Sequence, residues 1–410
     1  MKITNFSISF DSTGRVFHVG NRISGSVKVA FAKPTKLRGI KLFLEGSAKS
    51  YWDEKHGKNK TKYRARETYI NQTILLFGGT SETVIHPVGN YTYPFNFPLN
   101  ADIPSSYEGR RGYVRYTCKA ILDRPWKFNE SIKEPFTVVR HLDCNQLISA
   151  LNPIYEHQRQ VIEGCCCEEG SIDVEFNINK TAFVPGEPLV YDITVKNNSD
   201  NAVTELYLML RQESTFTGYS DSLFSSGKPH LHTKVESFSL FNQPVNVRKN
   251  ANKKFSGAST IPSLVPSLLE GCNIINIQYF VSLKVPCGWS SVKANREIII
   301  GTIPAREFHP SIPRNATVNQ VSPSQIELSV RPPPPEMLQP TAPPAYEDLP
   351  PSYAECIFGG VDIRDENDDE HTTLQRNWAP AYTYYNWNQQ NYAGPQPEAV
   401  RPAPPSYNAL

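Results

Sequence analysis

The sequence predicts an all-β protein: two tandem antiparallel β-sandwiches followed by a disordered, proline-rich tail. Three observations carry this. Apolar residues recur with period 2 almost everywhere and long helical periodicity is scarce, as strands with one wet face require. The first half of the chain repeats in the second at a nearly constant offset. The prolines are skewed, with 15 of the 34 falling between Pro332 and Pro405, a composition that builds no core.

The repeat defines the elements. Phe6, Ile8 and Phe10 alternate; Phe17, Gly20, Ile23, Val27 and Val29 follow, then Ile40, Leu42 and Leu44. Adding 166 gives Ile172, Val174 and Phe176, then Phe183, Gly186, Leu189, Ile193 and Val195, then Leu206, Leu208 and Leu210. Every apolar position stays apolar and the glycine stays glycine. Later, the turn Pro104-Ser105-Ser106-Tyr107-Glu108-Gly109 matches Pro266-Ser267-Leu268-Leu269-Glu270-Gly271. The strand after it agrees as well: Val114, Tyr116, Cys118 and Ala120 against Ile277, Tyr279, Val281 and Leu283. Runs such as Ile23 to Phe31, Val190 to Lys196 and Ile277 to Val285 are rich in β-formers and bounded by turn residues. One helical candidate, Asn145 to Val161, is interrupted by Pro153. The expected domains are a sandwich over 1–150, a second over 170–305 and a disordered tail over 306–410.

Charge and targeting signals bound the function. A formal charge of +2 over 410 residues does not suit a nucleic-acid binder. The N-terminus lacks the apolar stretch of a signal peptide, and no segment approaches the roughly 18 apolar residues that span a bilayer. Both place the chain in the cytosol, with its eight cysteines mostly reduced. Sequons such as Asn71-Gln72-Thr73 and Asn315-Ala316-Thr317 are then chance matches. No H-E-x-x-H, G-x-x-x-x-G-K-[ST], G-x-S-x-G or dinucleotide fingerprint occurs, so no enzyme and no cofactor is expected.

The tail carries P-P-x-Y three times: Pro343, Pro344 and Tyr346; Pro350, Pro351 and Tyr353; Pro404, Pro405 and Tyr407. Paired prolines hold polyproline II without a fold around them, so docking into an aromatic groove of the WW type orders little backbone. The second proline fills an aromatic slot and the tyrosine is an amphipathic anchor. Ala345 and Ser352 are spacers. The first two tyrosines are seven residues apart, about 20 Å in polyproline II, too close for two modules to bind without crowding. The third motif lies 54 residues further on, which suits a second module of the same partner.

Two tandem sandwiches, the openings Phe17-His18-Val19-Gly20 and Phe183-Val184-Pro185-Gly186-Glu187, and a P-P-x-Y tail resemble the α-arrestins, the arrestin domain-containing proteins related to thioredoxin-interacting protein. The resemblance covers nearly the whole chain. It implies two arrestin-like, immunoglobulin-like sandwiches in a cytosolic adaptor, peripheral at plasma and endosomal membranes. It also implies HECT-type ubiquitin ligases with WW domains as tail partners, and membrane receptors or transporters as cargo for ubiquitination, endocytosis and sorting. Two alternatives go with it. One is a redox regulator bound to thioredoxin, with Cys272 and Cys287 beside strands; the other is a retromer-like sorting scaffold.

Weaker signals have two readings each. Lys60, Lys62, Arg64 and Arg66 line one face of a β-ribbon, either a patch for phosphate or lipid headgroups or a solvated hairpin. Cys165, Cys166 and Cys167 between the repeats are candidates for S-acylation, or small apolar residues of a connector; metal binding is a third option without a second cluster. His230 and His232 share a strand face, but no third ligand is evident. The acidic run Asp362, Asp365, Glu366, Asp368, Asp369 and Glu370 reads as solvating. The aromatic stretch from Trp378 to Tyr392 reads as a docking peptide or a sticky linker.

Overall fold

The computed structural model describes residues 3–57, 59–79, 82–163, 168–222, 227–306 and 359–386. The first sandwich contains β1 (Ile3–Phe10), β2 (Val16–His18), β3 (Arg22–Phe31), β4 (Thr35–Leu37), β5 (Gly39–His56), β6 (Asn59–Gly78), β7 (Val84–His86), β8 (Gly89–Pro98), β9 (Tyr107–Gly109), β10 (Gly112–Asp123) and β11 (Glu130–Val139). The second contains β12 (Ile154–Glu163), β13 (Glu168–Ile178), β14 (Ala182–Phe183), β15 (Pro188–Ser199), β16 (Val203–Ser220), β17 (His230–Val247), β18 (Ala251–Thr260), β19 (Ile275–Cys287) and β20 (Ser290–Ile300). A last strand, β21 (Thr372–Leu374), belongs to the tail.

The duplication read from the sequence is present in the sheets. In the first sandwich, β1-β3-β8 faces the row β2-β11-β10-β5-β6; in the second, β13-β15-β18 faces β14-β20-β19-β16-β17, with β12 added outside β13. Phe17 on β2 pairs in parallel with Val138 of β11, and its repeat partner Phe183 on β14 pairs in parallel with Ile300 of β20. Tyr116 donates its hydroxyl to the carbonyl of Pro104 at 2.7 Å, and Tyr279 donates to the carbonyl of Val265 at 2.8 Å. Ser106 and Ser267 accept from the amides of Val138 and Ile300, each at 2.9 Å. Each hydroxyl closes a buried turn whose backbone groups would otherwise lack partners.

Period 2 explains the core. On β3, Ile23, Val27 and Val29 are buried while Lys28 points out. Phe10, Phe17 and Phe136 meet at centroid distances of 5.8 Å, with the Phe17–Phe136 pair edge-on at 90°. Such pairs contribute about 0.5–1.5 kcal/mol beyond burial. On β16 the inward sequence runs Leu206, Leu208, Leu210, Gln212, Ser214 and Phe216, all buried. Its two polar members are satisfied, Ser214 across the join between the sandwiches and Gln212 by β19 of its own sandwich. Tyr107 of the first sandwich donates to Ser214 Oγ at 3.0 Å, and Tyr279 donates to Gln212 Oε1 at 3.0 Å.

The join is also a sheet. Tyr219 and Ser220 of β16 pair with Arg64 and Tyr63 of β6, so the facing rows of the two sandwiches merge into one twelve-stranded sheet among the described residues. Trp52 stacks on Tyr63 at 5.2 Å beside this seam.

One expected element differs. Asn145 to Val161 is not a helix: a short 3-10 turn over Cys144–Gln146 is followed by β12. Asp143 caps the turn by accepting from the Asn145 amide at 2.9 Å, and Pro153 removes the amide that a continuing helix needs. From Ile154 the chain pairs with β13 instead.

Candidate functional site: a tail segment docked across both sandwiches

Residues 359–386 do not behave as a disordered, solvated stretch, which corrects the expectation for this part of the tail. They lie against the body. The reason is the unclaimed edge of β11. Its C-terminal half is covered by β2, at Thr137 to Val139, and its N-terminal half by β21, parallel to Ser131–Lys133. A bare edge is a liability, and the tail closes it.

The acidic run supplies the electrostatic clamp. Lys133 reaches Asp365 at 2.5 Å and Asp368 at 2.8 Å, and Lys119 reaches the other oxygen of Asp368 at 2.8 Å. The side chain of Asp368 is 0% exposed and that of Lys133 is 4% exposed. Burial raises the carboxyl of Asp368, but hydrogen bonds from Lys119 and Lys133 outweigh it and leave the group below its usual range. Lys119 also donates to the carbonyl of Asn367 at 2.8 Å. Ser131 Oγ and Thr372 Oγ1 are 2.9 Å apart.

The aromatic stretch is the apolar half of the same contact. Val361 and Trp378 exchange backbone hydrogen bonds at 2.8 and 3.0 Å, folding the segment on itself. Ile363, Trp378 and Tyr382 are buried, and Tyr382 joins the core cluster that runs through both sandwiches. Its hydroxyl donates to the carbonyl of Ser106 at 2.8 Å. Further on, the Tyr385 hydroxyl donates to Thr302 O at 2.7 Å and its amide donates to Pro185 O at 3.0 Å. The tail thus touches the first sandwich through Tyr382 and the second through Tyr385. Gly186 makes the last contact feasible: its φ is +90°, and a Cβ there would sit 2.0 Å from the carbonyl oxygen of Tyr385.

Other sequence candidates are placed as follows. Lys60, Lys62, Arg64 and Arg66 do share an exposed face of β6. Acids across the ribbon engage three of them: Lys60 pairs with Asp53 at 2.9 Å, Arg64 with Asp53 at 3.7 Å, and Arg66 with Glu45 at 2.7 Å and Glu366 of the tail at 3.5 Å. His230 and His232 lie against rings rather than around an ion: His230 is 4.6 Å from Tyr63, and His232 stacks on Trp52 at 5.4 Å. Among the described residues no group of three His, Cys, Asp or Glu is arranged to hold a metal. Burial pushes the thiols of Cys118, Cys144 and Cys272 up, that of Cys144 to about 12, which opposes thiolate chemistry. The three P-P-x-Y motifs and Cys165, Cys166 and Cys167 lie outside the described residues.

A stacked pair of imidazoles sits close to the tail contact. His18 and His141 are 4.6 Å apart with planes 9° from parallel. Burial, and then the charge of His141, lowers His18 to about 4. His141 is itself lowered by burial.

The matched family models agree with the two sandwiches. The arrestin (or S-antigen) N-terminal domain matches residues 6–145, and the arrestin (or S-antigen) C-terminal domain matches residues 168–305. The chain belongs to the arrestin family. Arrestin domain-containing protein 17 of Caenorhabditis elegans is 30% identical over 315 residues, covering 74% of this chain and 72% of that protein. Arrestin domain-containing protein 4 of Mus musculus is 25% identical, covering 83% and 80%. Thioredoxin-interacting protein of Sus scrofa is 23% identical, covering 93% and 94%. These relatives put the chain in the α-arrestin branch, as an arrestin-family, adaptor-like protein. Among the described residues of this arrestin no helix is long and apolar enough to cross a membrane.

Sequence reasoning missed Lys119 and Lys133 as partners of the acidic run. A lysine amid apolar residues, in Ile132-Lys133-Glu134-Pro135-Phe136, was the available signal.

Proposed function

We propose that this α-arrestin is an adaptor that links membrane-protein cargo to HECT-type ubiquitin ligases through their WW domains. The contact residues are Pro343, Pro344 and Tyr346, Pro350, Pro351 and Tyr353, and Pro404, Pro405 and Tyr407. The observation that carries the reading is the threefold P-P-x-Y pattern on both sides of a body-docked segment: Tyr353 precedes Gly359 by six positions, and Pro404 follows Asn386 by eighteen. Anchoring at 359–386 keeps a captured ligase near whatever the sandwiches hold, and proximity raises the encounter of ligase and cargo. The adaptor acts at the cytosolic face of plasma and endosomal membranes, where cargo lysines receive ubiquitin and the chemistry belongs to the ligase.

Full-length chain and a Tyr346→Ala, Tyr353→Ala, Tyr407→Ala variant, offered to a purified tandem WW protein, test this. Retention of the parent and loss of the variant is expected; equal retention sinks the reading. Deleting 332–358 and 387–410, which spares the docked segment, separates it from a retromer-like scaffold, which keeps its assembly without these motifs.

The rival reading, a partner of thioredoxin, takes its support from the name of a relative at 23% identity. The raised, partly buried Cys272 thiol speaks against it. Thioredoxin retained on the chain only without reductant is the outcome that restores it.

A further inference from the structure

The loop between β10 and β11 presents two aromatic rings to solvent. Trp126 is 101% exposed and Phe128 is 73% exposed. Large apolar side chains at a tip, side by side, mark an interaction surface. The loop is also built rather than loose. Arg124 donates its amide to Asn129 Oδ1 at 2.9 Å and its guanidinium pairs with Glu130. Phe128 stacks on His371 of the docked tail at 4.9 Å. Trp126 is held at φ +59°, in the left-handed region that a bulky side chain rarely occupies. Such strain costs about 1–3 kcal/mol and persists where the surroundings impose it, often at functional positions.

The chemistry around the rings selects the partner. Arg124, Trp126, Lys127, Phe128, Glu130 and His371 line an open recess of about 590 Å³. Lys127 is exposed. The neighbouring elements add to the same end of the sandwich. Arg38 donates its amide to the carbonyl of Asp123 at 2.8 Å, which puts the end of β4 against the root of the loop. Lys36 on β4 is exposed, opposite Ile85 of β7, itself 59% exposed. Lys33 is exposed just before β4. Asp123 is already claimed by Arg38 and Lys41, at 2.6 and 2.7 Å. The opposing charges are Asp369 and Glu370 beside His371 and Glu82 just before β7, all exposed, while Glu130 in the recess is paired with Arg124. Lys127 is exposed on the loop beside Trp126 and Phe128, and Lys33, Lys36 and Ile85 are exposed on the ribbon that abuts its root.

We infer that this end of the first sandwich is a membrane-contact surface that seats Trp126 and Phe128 at the interface of a bilayer carrying anionic lipid, with Lys33, Lys36 and Lys127 facing its headgroups. Tryptophan prefers the boundary between headgroups and acyl chains, where its ring is in an apolar layer and its N–H stays wet. Lysines beside it attract the negative surface potential. The inference stands on the geometry of the first sandwich and is independent of ligase recruitment.

The test is co-sedimentation of the full chain with vesicles of phosphatidylcholine alone, and with vesicles in which about a third of the lipid is phosphatidylserine. The parent binds the anionic vesicles and not the neutral ones, and binding weakens with salt. The Trp126→Ala, Phe128→Ala double variant loses about tenfold or more in affinity. Lys127→Ala loses about fivefold. Tyr155→Ala, which removes an exposed ring from β12, binds like the parent. The tryptophan emission of the parent shifts to the blue on binding; Trp126→Phe keeps binding and loses most of the shift. All four sites are exposed, and matching melting temperatures check that the variants fold. A parent that sediments with neither vesicle overturns the inference and leaves the surface to a protein. A double variant that binds like the parent, or a Tyr155→Ala variant that falls as far as it does, also overturns it.

Discussion

Lys133 and Asp368 stand 2.8 Å apart in a buried contact although 235 residues separate them in the chain. The pair ties a segment of the tail to the middle of the first sandwich. Asp365 shares the same ammonium and Lys119 the same carboxylate. Burying charge is costly, and each member offsets the desolvation of another.

Asp368→Ala leaves Lys119 without an acid and Lys133 with only Asp365. Breaking a buried charge cluster in this way costs about 3 kcal/mol, here against tail docking more than against the sandwich. Hydrogen exchange should show faster exchange at Thr372 to Leu374 and unchanged protection on β3 and β5. Unchanged exchange over 372–374 counts against the clamp.

Acid should release the same segment. The pKa of Asp368 is depressed in the docked state. Its contribution is therefore fully present above the ordinary carboxylate value of 3.8 and is lost as pH falls through the lowered one. Protease cleavage within 359–386, assayed with an acid-active protease, should rise below about pH 4 and rise less steeply in Asp368→Asn.

His18 gives a second, milder pH window. Its folded value is about 4 against 6.5 in the open chain. The unfolded form binds the proton more readily, so stability is intact above 6.5 and declines as pH falls toward 4. The decline is on the order of 1–3 kcal/mol. Urea titrations at stepped pH should follow it in the parent and show a shallower decline in His18→Phe, where the lowered His141 still contributes.

Two glycines in equivalent turns should answer differently to alanine. Gly20 and Gly186 both have φ in the left-handed region, +78° and +90°, and a Cβ at Gly20 meets nothing within 4 Å. Gly20→Ala pays backbone strain alone, about 1–2 kcal/mol. Gly186→Ala adds a collision with the Tyr385 carbonyl, and should free the Tyr385 hydroxyl from Thr302. Exchange at the Tyr385 amide separates them, rising only in the Gly186 variant.

Avidity is the mark of a two-module contact. Tyr407→Ala removes the distal motif and should weaken a tandem WW protein by about tenfold or more, with little effect on a single WW module. Calorimetry with both ligands decides it. Equal affinity of parent and variant for the tandem ligand removes the bivalent arrangement.

The sandwiches were legible because period 2 and a nearly constant offset survive in residues that pack, 166 between Phe17 and Phe183 and 163 between Tyr116 and Tyr279. The tail contact was not. Three residues of parallel strand leave no periodic trace, and the Asp368–Lys133 pairing depends on a register set only once β10 and β11 are in place. Trp378 and Tyr382 amid polar residues hinted at a docking peptide; nothing local says that its receptor is the same chain. That His230 and His232 share one strand face was legible from their spacing, whereas the rings beside them belong to the other sandwich and leave no local trace.

The pairing of β6 with β16 is made of peptide groups, flanked by side-chain contacts such as Tyr107 with Ser214 and Trp52 with His232. Main-chain amides bond alike whatever side chains they carry, so the strand pairing itself does not read sequence. Substitutions on β6 and β16 that spare these amides therefore leave this strand pairing in place, and only those at the flanking contacts bear on how the sandwiches meet.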